Sequence, residues 1–206
     1  MLIQAALIAF YPLVLHVGVI GSNHETMLLA MVFLSLGIFY KGLVRPDTLS
    51  WLIVFVFNSL LFMLHYFDLV RVIVLLPPLV VPVLLFFVFF RSLLPGSTPL
   101  VTAIGDWARG PLSIEMKKYT RHVTELWAAV FVFLFIETLI LTIWSSMEVW
   151  SWFTNLGNHF LVGTIFFGEF MVRKAKFPDH DHPSFKDYLK IVISSREMYT
   201  KRDLKQ

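Results

Sequence analysis

The sequence predicts an all-α integral membrane protein with six transmembrane helices, both termini cytoplasmic, and short cytoplasmic interfacial helices. Three observations predict this class. Hydrophobic residues fill 57% of the 206 positions and charged residues only 15%, which is too apolar for a soluble domain of this length. The apolar residues gather in runs of about 20, enough to cross hydrocarbon at about 1.5 Å per residue. The connections between runs alternate in lysine and arginine content, as the positive-inside rule requires.

The expected spans are 2–20, 26–40, 49–66, 69–90, 123–144 and 150–172, forming a transmembrane domain over 1–172 followed by a cytoplasmic amphipathic tail, 173–206. The first run, MLIQAALIAFYPLVLHVGVI, lacks the basic n-region of a signal peptide and is taken as a retained span. The connections GSNHET, HYFD and SSMEV hold no lysine or arginine. KGLVRPD holds Lys41 and Arg45, the cytoplasmic loop 91–121 holds Arg91, Arg109, Lys117, Lys118 and Arg121, and the tail begins RKAK. Arg71 is the exception, at the outer end of span four, where it is expected to snorkel outward and pair with Asp68.

The loop 91–121 opens as RSLLPGSTPL, punctuated by Pro95, Gly96 and Pro99, and breaks again at Arg109-Gly110-Pro111. Beyond that break Leu112, Met116 and Tyr119 recur at helical spacing, which predicts a piece lying on the membrane surface. In the tail, Ser184 followed by Asp187 resembles a capping box. Phe185, Tyr188, Leu189, Val192 and Ile193 there share one face of a second surface helix. No internal repeat is visible.

Ionisable residues within the spans mark either function or a structural pair. At the cytoplasmic boundary Arg121 and Glu125 are four apart, and Glu169 and Arg173 repeat that spacing. They read as interfacial ion pairs that anchor helix ends. Alternatively Arg109, Arg121, His122, Glu125, Glu169 and Arg173 form a cytoplasmic polar cluster that receives a lipid headgroup. Near the midplane, Glu137 lies seven residues from Trp144, roughly 10 Å deep, and His159 nine residues from Trp150, roughly 13 Å deep. A Glu137–His159 hydrogen bond would avoid an isolated buried charge, with Asn58 at a similar level. Such a pair is either a helix–helix lock or a proton-linked site. Pro77, Pro78 and Pro82 kink span four, either for packing or to open a cleft for a long apolar molecule.

Catalytic patterns are sparse. The absence of cysteine excludes thiol nucleophiles, disulfides and zinc-thiolate sites. His182 and Asp187 have the H-x4-D spacing of glycerolipid acyltransferases, but helix capping explains Asp187. The DHDH around His180 and His182 reads as solvated imidazoles, so no metal and no cofactor is expected. No P-loop, G-x-S-x-G or dinucleotide fingerprint is present. No basic groove points to nucleic acid.

Three blocks, RSLLPGSTPLVTAIGDWARGPL, YTRHVTELWAAVFVF and WSWFTNLGNHFLVGTIFFGEFMVRKAKFP, carry a family resemblance. They resemble small multi-span bacterial inner-membrane proteins, often labelled ketosynthase, associated with type II polyketide-like systems that make aryl polyene and xanthomonadin-type pigment lipids. The resemblance covers most of the chain and is strongest over 71–178. Its pattern positions upstream are Pro77, Pro78, Pro95, Gly96, Thr98, Pro99, Leu100 and Arg109. Downstream they are Tyr119, Thr120, Arg121, Thr124, Trp127, Asn155, Glu169, Arg173 and Pro178. The chain departs from the family at Gly105-Asp106, where an arginine is usual, which puts in doubt any headgroup site assembled there. A ketosynthase reaction is excluded, because it needs a cysteine nucleophile.

The resemblance implies a pathway association. The expected function is a non-catalytic accessory protein that docks acyl-carrier machinery or handles the polyene lipid. A small proton-linked transporter or lipid flippase, and an acyl or glycosyl transferase working at His122 and Glu125, remain alternatives. The expected partners are membrane lipids, an acyl-carrier protein or other pathway enzymes, and a second copy of the chain.

Overall fold

The computed structural model describes residues 2–45 and 47–178, without the side chains of Leu2 and Arg109. The tail helix expected from Ser184 onward and the His180/His182 pair lie outside the described residues. Among the described residues every regular element is helical. They are α1 (Leu2–Ile20), α2 (His24–Val44), α3 (Thr48–Tyr66), α4 (Val70–Val74), α5 (Leu76–Leu93), α6 (Leu100–Arg109), α7 (Ile114–Trp144), α8 (Met147–Trp152), a π-helical turn (Phe153–Gly157) and α9 (Asn158–Lys176).

Five stretches are long and apolar enough to cross a membrane: Ile3–Ile20, His24–Val44, Thr48–Tyr66, Val70–Leu93 and Ile114–Trp144. The protein is therefore a multi-pass membrane protein. The sixth expected span, 150–172, differs from these five. It is divided among α8, the π-helical turn and α9, and α9 carries Glu169, Arg173, Lys174 and Lys176, too many charges for an apolar crossing by composition alone.

Helix starts follow capping chemistry. The Asn23 side chain accepts from the Thr26 amide at 2.9 Å to begin α2, and the Asp47 carboxylate accepts from the Ser50 amide at 3.1 Å to begin α3. The same Ser50 contact, through hydroxyl first and amide second, holds the Asp47 carboxyl below the usual range. Asp68 stands 3.5 Å from His24, so the expected Arg71–Asp68 pair is replaced by a contact with the end of another helix.

Span four is interrupted at Leu75. Pro77 and Pro78 fall in the first turn of α5, where a missing N–H costs nothing, and Pro82 alone sits in the helix interior. The three prolines therefore do not make one continuous kink.

The loop 91–121 is also revised. Residues 100–109 form α6, and the segment beginning at Leu112 leads directly into α7, which runs unbroken for 31 residues. What was expected as a surface helix is the start of a transmembrane one. The extra polar turns are tolerated because a helix may extend past the hydrocarbon into the headgroup layer.

The chain forms two compact units, Met1–Val81 with Leu134–Leu161, and Pro82–Phe133 with Val162–Gln206. In the first, α1 packs against α2, with Leu15, Met27, Met31, Leu61, Val74 and Trp150 fully buried. The helices approach closely at Gly18, where a Cβ would stand 2.8 Å from the Met27 backbone nitrogen. Small residues permit that approach in a lipid solvent, where association rests on packing and hydrogen bonds. Those hydrogen bonds include His16 Nδ1 with Ser151 Oγ at 3.0 Å and Asn155 Nδ2 to the same Oγ at 2.9 Å.

Candidate functional site

The second unit contains a cavity of about 230 Å³. Its walls come from four helices. Phe89 projects from α5. Val101, Ile104, Gly105 and Ala108 come from α6, followed by Leu112. Met116, Thr120, Val123, Trp127 and Phe131 come from α7, and Phe166 and Arg173 from α9. The α7 positions recur at intervals of three and four, so a single face of that helix supplies them all. Trp127 stacks on Phe131 at 5.8 Å between ring centroids, and Phe89 meets Phe131 edge-on at 5.2 Å. These rings give flat, rigid walls.

α6 is fastened to α7 by threonine hydroxyls. Thr120 donates to the Met116 carbonyl at 2.9 Å, so the Thr102 hydroxyl donates to Thr120, 2.7 Å away. Thr124 donates to the Thr120 carbonyl and accepts from the Val101 amide at 3.3 Å. At the other end of α6, Asp106 accepts from the Leu112 amide at 2.8 Å and secures the turn into α7. Gly105 belongs to this joint, since a Cβ there would stand 2.7 Å from Leu112 Cδ1. Gly105 is thus a wall element and Asp106 a loop cap. Gly96 and Gly110 flank α6 with φ of 83° and 84°, a left-handed backbone that glycine adopts without strain.

Arg173 is the charged residue of the lining, and it is buried. Its Nε lies 3.5 Å from Glu169 Oε1, and the two side chains are only 9% and 4% exposed. The Tyr119 hydroxyl donates toward Glu169, 3.3 Å from its carbonyl and 3.4 Å from Oε1. Tyr119 is held in turn by Phe177, edge-on at 5.4 Å, and Lys176 lies over its ring at 5.5 Å. A buried ion pair is a poor route to stability, because desolvation of both groups offsets their attraction.

The expected cytoplasmic cluster divides in two. Arg121 and His122 both contact Glu125, each at 3.1 Å, on the exposed face of α7. The Arg121 guanidinium also donates to the Leu93 carbonyl at the end of α5, at 3.4 Å. Glu169 and Arg173 instead lie on the cavity side with Tyr119. Arg109 closes α6, and its side chain lies outside the described residues.

The midplane group separates as well, all within the first unit. Glu137 Oε2 accepts from Asn158 Nδ2 at 2.9 Å, so its partner is the neighbour of His159 and not His159 itself. Asn58 is elsewhere, donating to Ser35 Oγ at 3.1 Å and to the Val54 carbonyl at 2.7 Å, where it joins α3 to α2. Pro77 and Pro78 do not line the cavity.

Charge alone does not mark Gly105, Thr120 and Trp127 as cavity residues, nor Thr102 and Thr124 as the hydroxyls that fasten α6 to α7. The signal was the spacing Met116, Thr120, Val123, Trp127, Phe131, which continues one helical face across the polar start of α7. No protein-family model, curated protein or solved structure matches the chain.

Proposed function

We propose that this protein is a non-catalytic accessory component of a bacterial inner-membrane system of the aryl polyene type, and that it holds the apolar chain of a lipid in the cavity between α5, α6, α7 and α9. The observation that carries this is the composition of the cavity wall, aromatic and aliphatic except for Thr120 and one buried cation. Thr120 spends its hydroxyl on Met116 and Thr102, so the space itself is apolar. Such cavities take hydrocarbon in preference to water. Flat rings facing the space suit a conjugated chain through offset stacking. The exposed Lys117, Lys118 and Arg121 at the start of α7 offer a basic surface for an acidic carrier protein delivering that chain.

The topology that goes with this function has six crossings and both termini cytoplasmic. Residues 147–176 form a helical path of 30 residues, roughly 45 Å at helical rise, with its basic residues gathered at one end. The Glu137–Asn158 contact favours a helix lock over a proton path, since a neutral amide does not titrate.

Deletion of the gene is the test of function. Loss or mislocation of the pigment lipid, restored by the wild-type gene, is the expected outcome; an unchanged lipid profile refutes the proposal. Single cysteines at Ser22 and Ser97 in this cysteine-free chain should react with impermeant thiol reagents from opposite sides of the membrane.

A further inference from the structure

Independently of the cavity and of the pathway, we propose that the protein pairs with a second copy of itself inside the bilayer, with Glu137 of each copy bonded to His159 of the other. Glu137 stands roughly 10 Å from Trp144 along α7, well inside a hydrocarbon core about 30 Å thick. Its Oε2 accepts from Asn158 Nδ2 at 2.9 Å and from the Thr138 hydroxyl at 3.5 Å. Its Oε1 has no partner among the described residues, and the residue is only half-buried. His159 is exposed on α9, one residue and about 1.5 Å of rise from Asn158, so it lies at the level of Glu137. One of its ring nitrogens interacts with the Asn155 carbonyl, one turn back, which leaves the second open.

Lipid does not satisfy these groups. Ionisable side chains within a membrane face protein or a water-filled cavity and pair with one another. Hydrocarbon tails hold no donor or acceptor, and headgroups lie outside the core. The cover is therefore protein that offers, at this one depth, a hydrogen-bonding group for the carboxyl and another for the imidazole. A second copy meets that requirement by symmetry. Two copies threaded the same way are related by a twofold axis along the bilayer normal, and that rotation leaves every group at its own depth. Residues of unlike chemistry at equal depth then meet crosswise, each pair occurring twice. Glu137 and His159 are such residues, because one proton shared between carboxyl and imidazole forms the bond whichever group carries it. Ile136 and Ile140 beside Glu137 are both 48% exposed and supply apolar packing around the pair. The Glu137–Asn158 bond stays within each copy, so the lock between α7 and α9 and the contact between copies use different oxygens of one carboxyl group.

The measurement is energy transfer between donor- and acceptor-labelled copies, each labelled at a single cysteine, Ser97→Cys, in phosphatidylcholine vesicles over a range of protein-to-lipid ratios. The otherwise wild-type chain should show saturable transfer. Glu137→Leu and His159→Leu should each associate about tenfold more weakly, since either substitution removes both pairs from the dimer. Mixing the two variants restores one pair, His159 of the first with Glu137 of the second. The mixed species should therefore associate about threefold more tightly than either variant with itself, beyond the statistical share. A bond between Glu137 and His159 of the same chain predicts no such recovery.

A wild type that stays monomeric at every ratio overturns the proposal and leaves this face to another membrane protein. Association unchanged by both substitutions overturns it too, because the copies then meet elsewhere. Weaker association in both variants without recovery in the mixture overturns the crosswise pairing. If Glu137→Leu, which strands the Asn158 amide, does not elute as the wild type does in size exclusion, His159→Leu decides alone. Association about tenfold weaker then upholds the pairing, and wild-type association overturns it.

Discussion

The Thr102–Thr120 contact provides the sharpest test of how the cavity is closed. Thr102 and Thr120 are 3% and 4% exposed, and their hydroxyl oxygens are 2.7 Å apart. Thr120→Val keeps the shape of the side chain and removes the acceptor, leaving the Thr102 hydroxyl buried without a partner. A stranded buried hydroxyl costs about 1–3 kcal/mol, whereas replacing both partners with apolar groups of the same shape is nearly neutral. Thr120→Val should therefore release α6 by about that amount, Thr102→Val should cost less because Thr120 keeps its bond to the Met116 carbonyl, and the double variant should restore what Thr120→Val loses. At about tenfold per 1.4 kcal/mol, the amides of residues 100–109 should exchange roughly 5- to 150-fold faster in Thr120→Val, less so in Thr102→Val, and closer to the wild-type rate in the double than in Thr120→Val. Hydrogen-exchange mass spectrometry in nanodiscs measures this directly. Additive acceleration in the double variant would show that the hydroxyl pair does not hold the helix, and so would unchanged exchange in Thr120→Val.

Three further outcomes follow from contacts elsewhere. Asn58→Leu should lower resistance to denaturing detergent by about 0.6–1.7 kcal/mol, the range for interhelical hydrogen bonds in lipid, and its effect should not add to that of Ser35→Ala because the two share one bond. Gly18→Ala should cost about 1–3 kcal/mol through collision with the Met27 backbone, while Gly163→Ala, with open space around it, should be neutral or stabilising by about 0.5–1 kcal/mol in the same assay. Asp47 has its folded pKa lowered by Ser50, so its contribution is present above the ordinary carboxylate range and disappears as pH falls through the lowered value. The melting temperature of the wild type should thus fall relative to that of Asp47→Asn, which caps without titrating, on acidification below about pH 4; parallel curves would refute the coupling.

Depth was legible in the sequence, and azimuth was not. Counting residues from Trp144 and Trp150 put Glu137 opposite the right level of the neighbouring segment, but the partner is Asn158 and not His159. One residue along a helix is about 100° of rotation, so a depth estimate good to one residue leaves the facing side chain undetermined. The same limit joined Glu125 to Glu169 in one expected cluster, whereas Glu125 is on the exposed face of α7 and Glu169 is buried beside Tyr119. The long apolar runs were plain because lipid demands them continuously. α6 was hidden for the opposite reason. Ten residues bounded by Pro99 and Gly110, with Gly105 in the middle, carry little helix propensity, and docking through Thr102 and Val101 supplies what the local sequence lacks. Of the cavity only the α7 face from Met116 to Phe131 leaves a linear trace; the rest of the wall comes from segments 89, 101–112 and 166–173, far apart in the chain.

The left-handed glycines at 96 and 110 bear on how the protein is made. α5 and α7 are apolar enough to enter the bilayer as independent segments, and α6 is not. Its place on α7 exists only once those helices have inserted, and Gly96 and Gly110 set the turns that lead into and out of it. The order of biogenesis is then fixed by hydropathy. Insertion comes first, helix association second, and the cavity exists only from the moment α6 settles. Defects in the threonine contacts would spare insertion and topology, and the cell would accumulate a correctly threaded protein without the cavity.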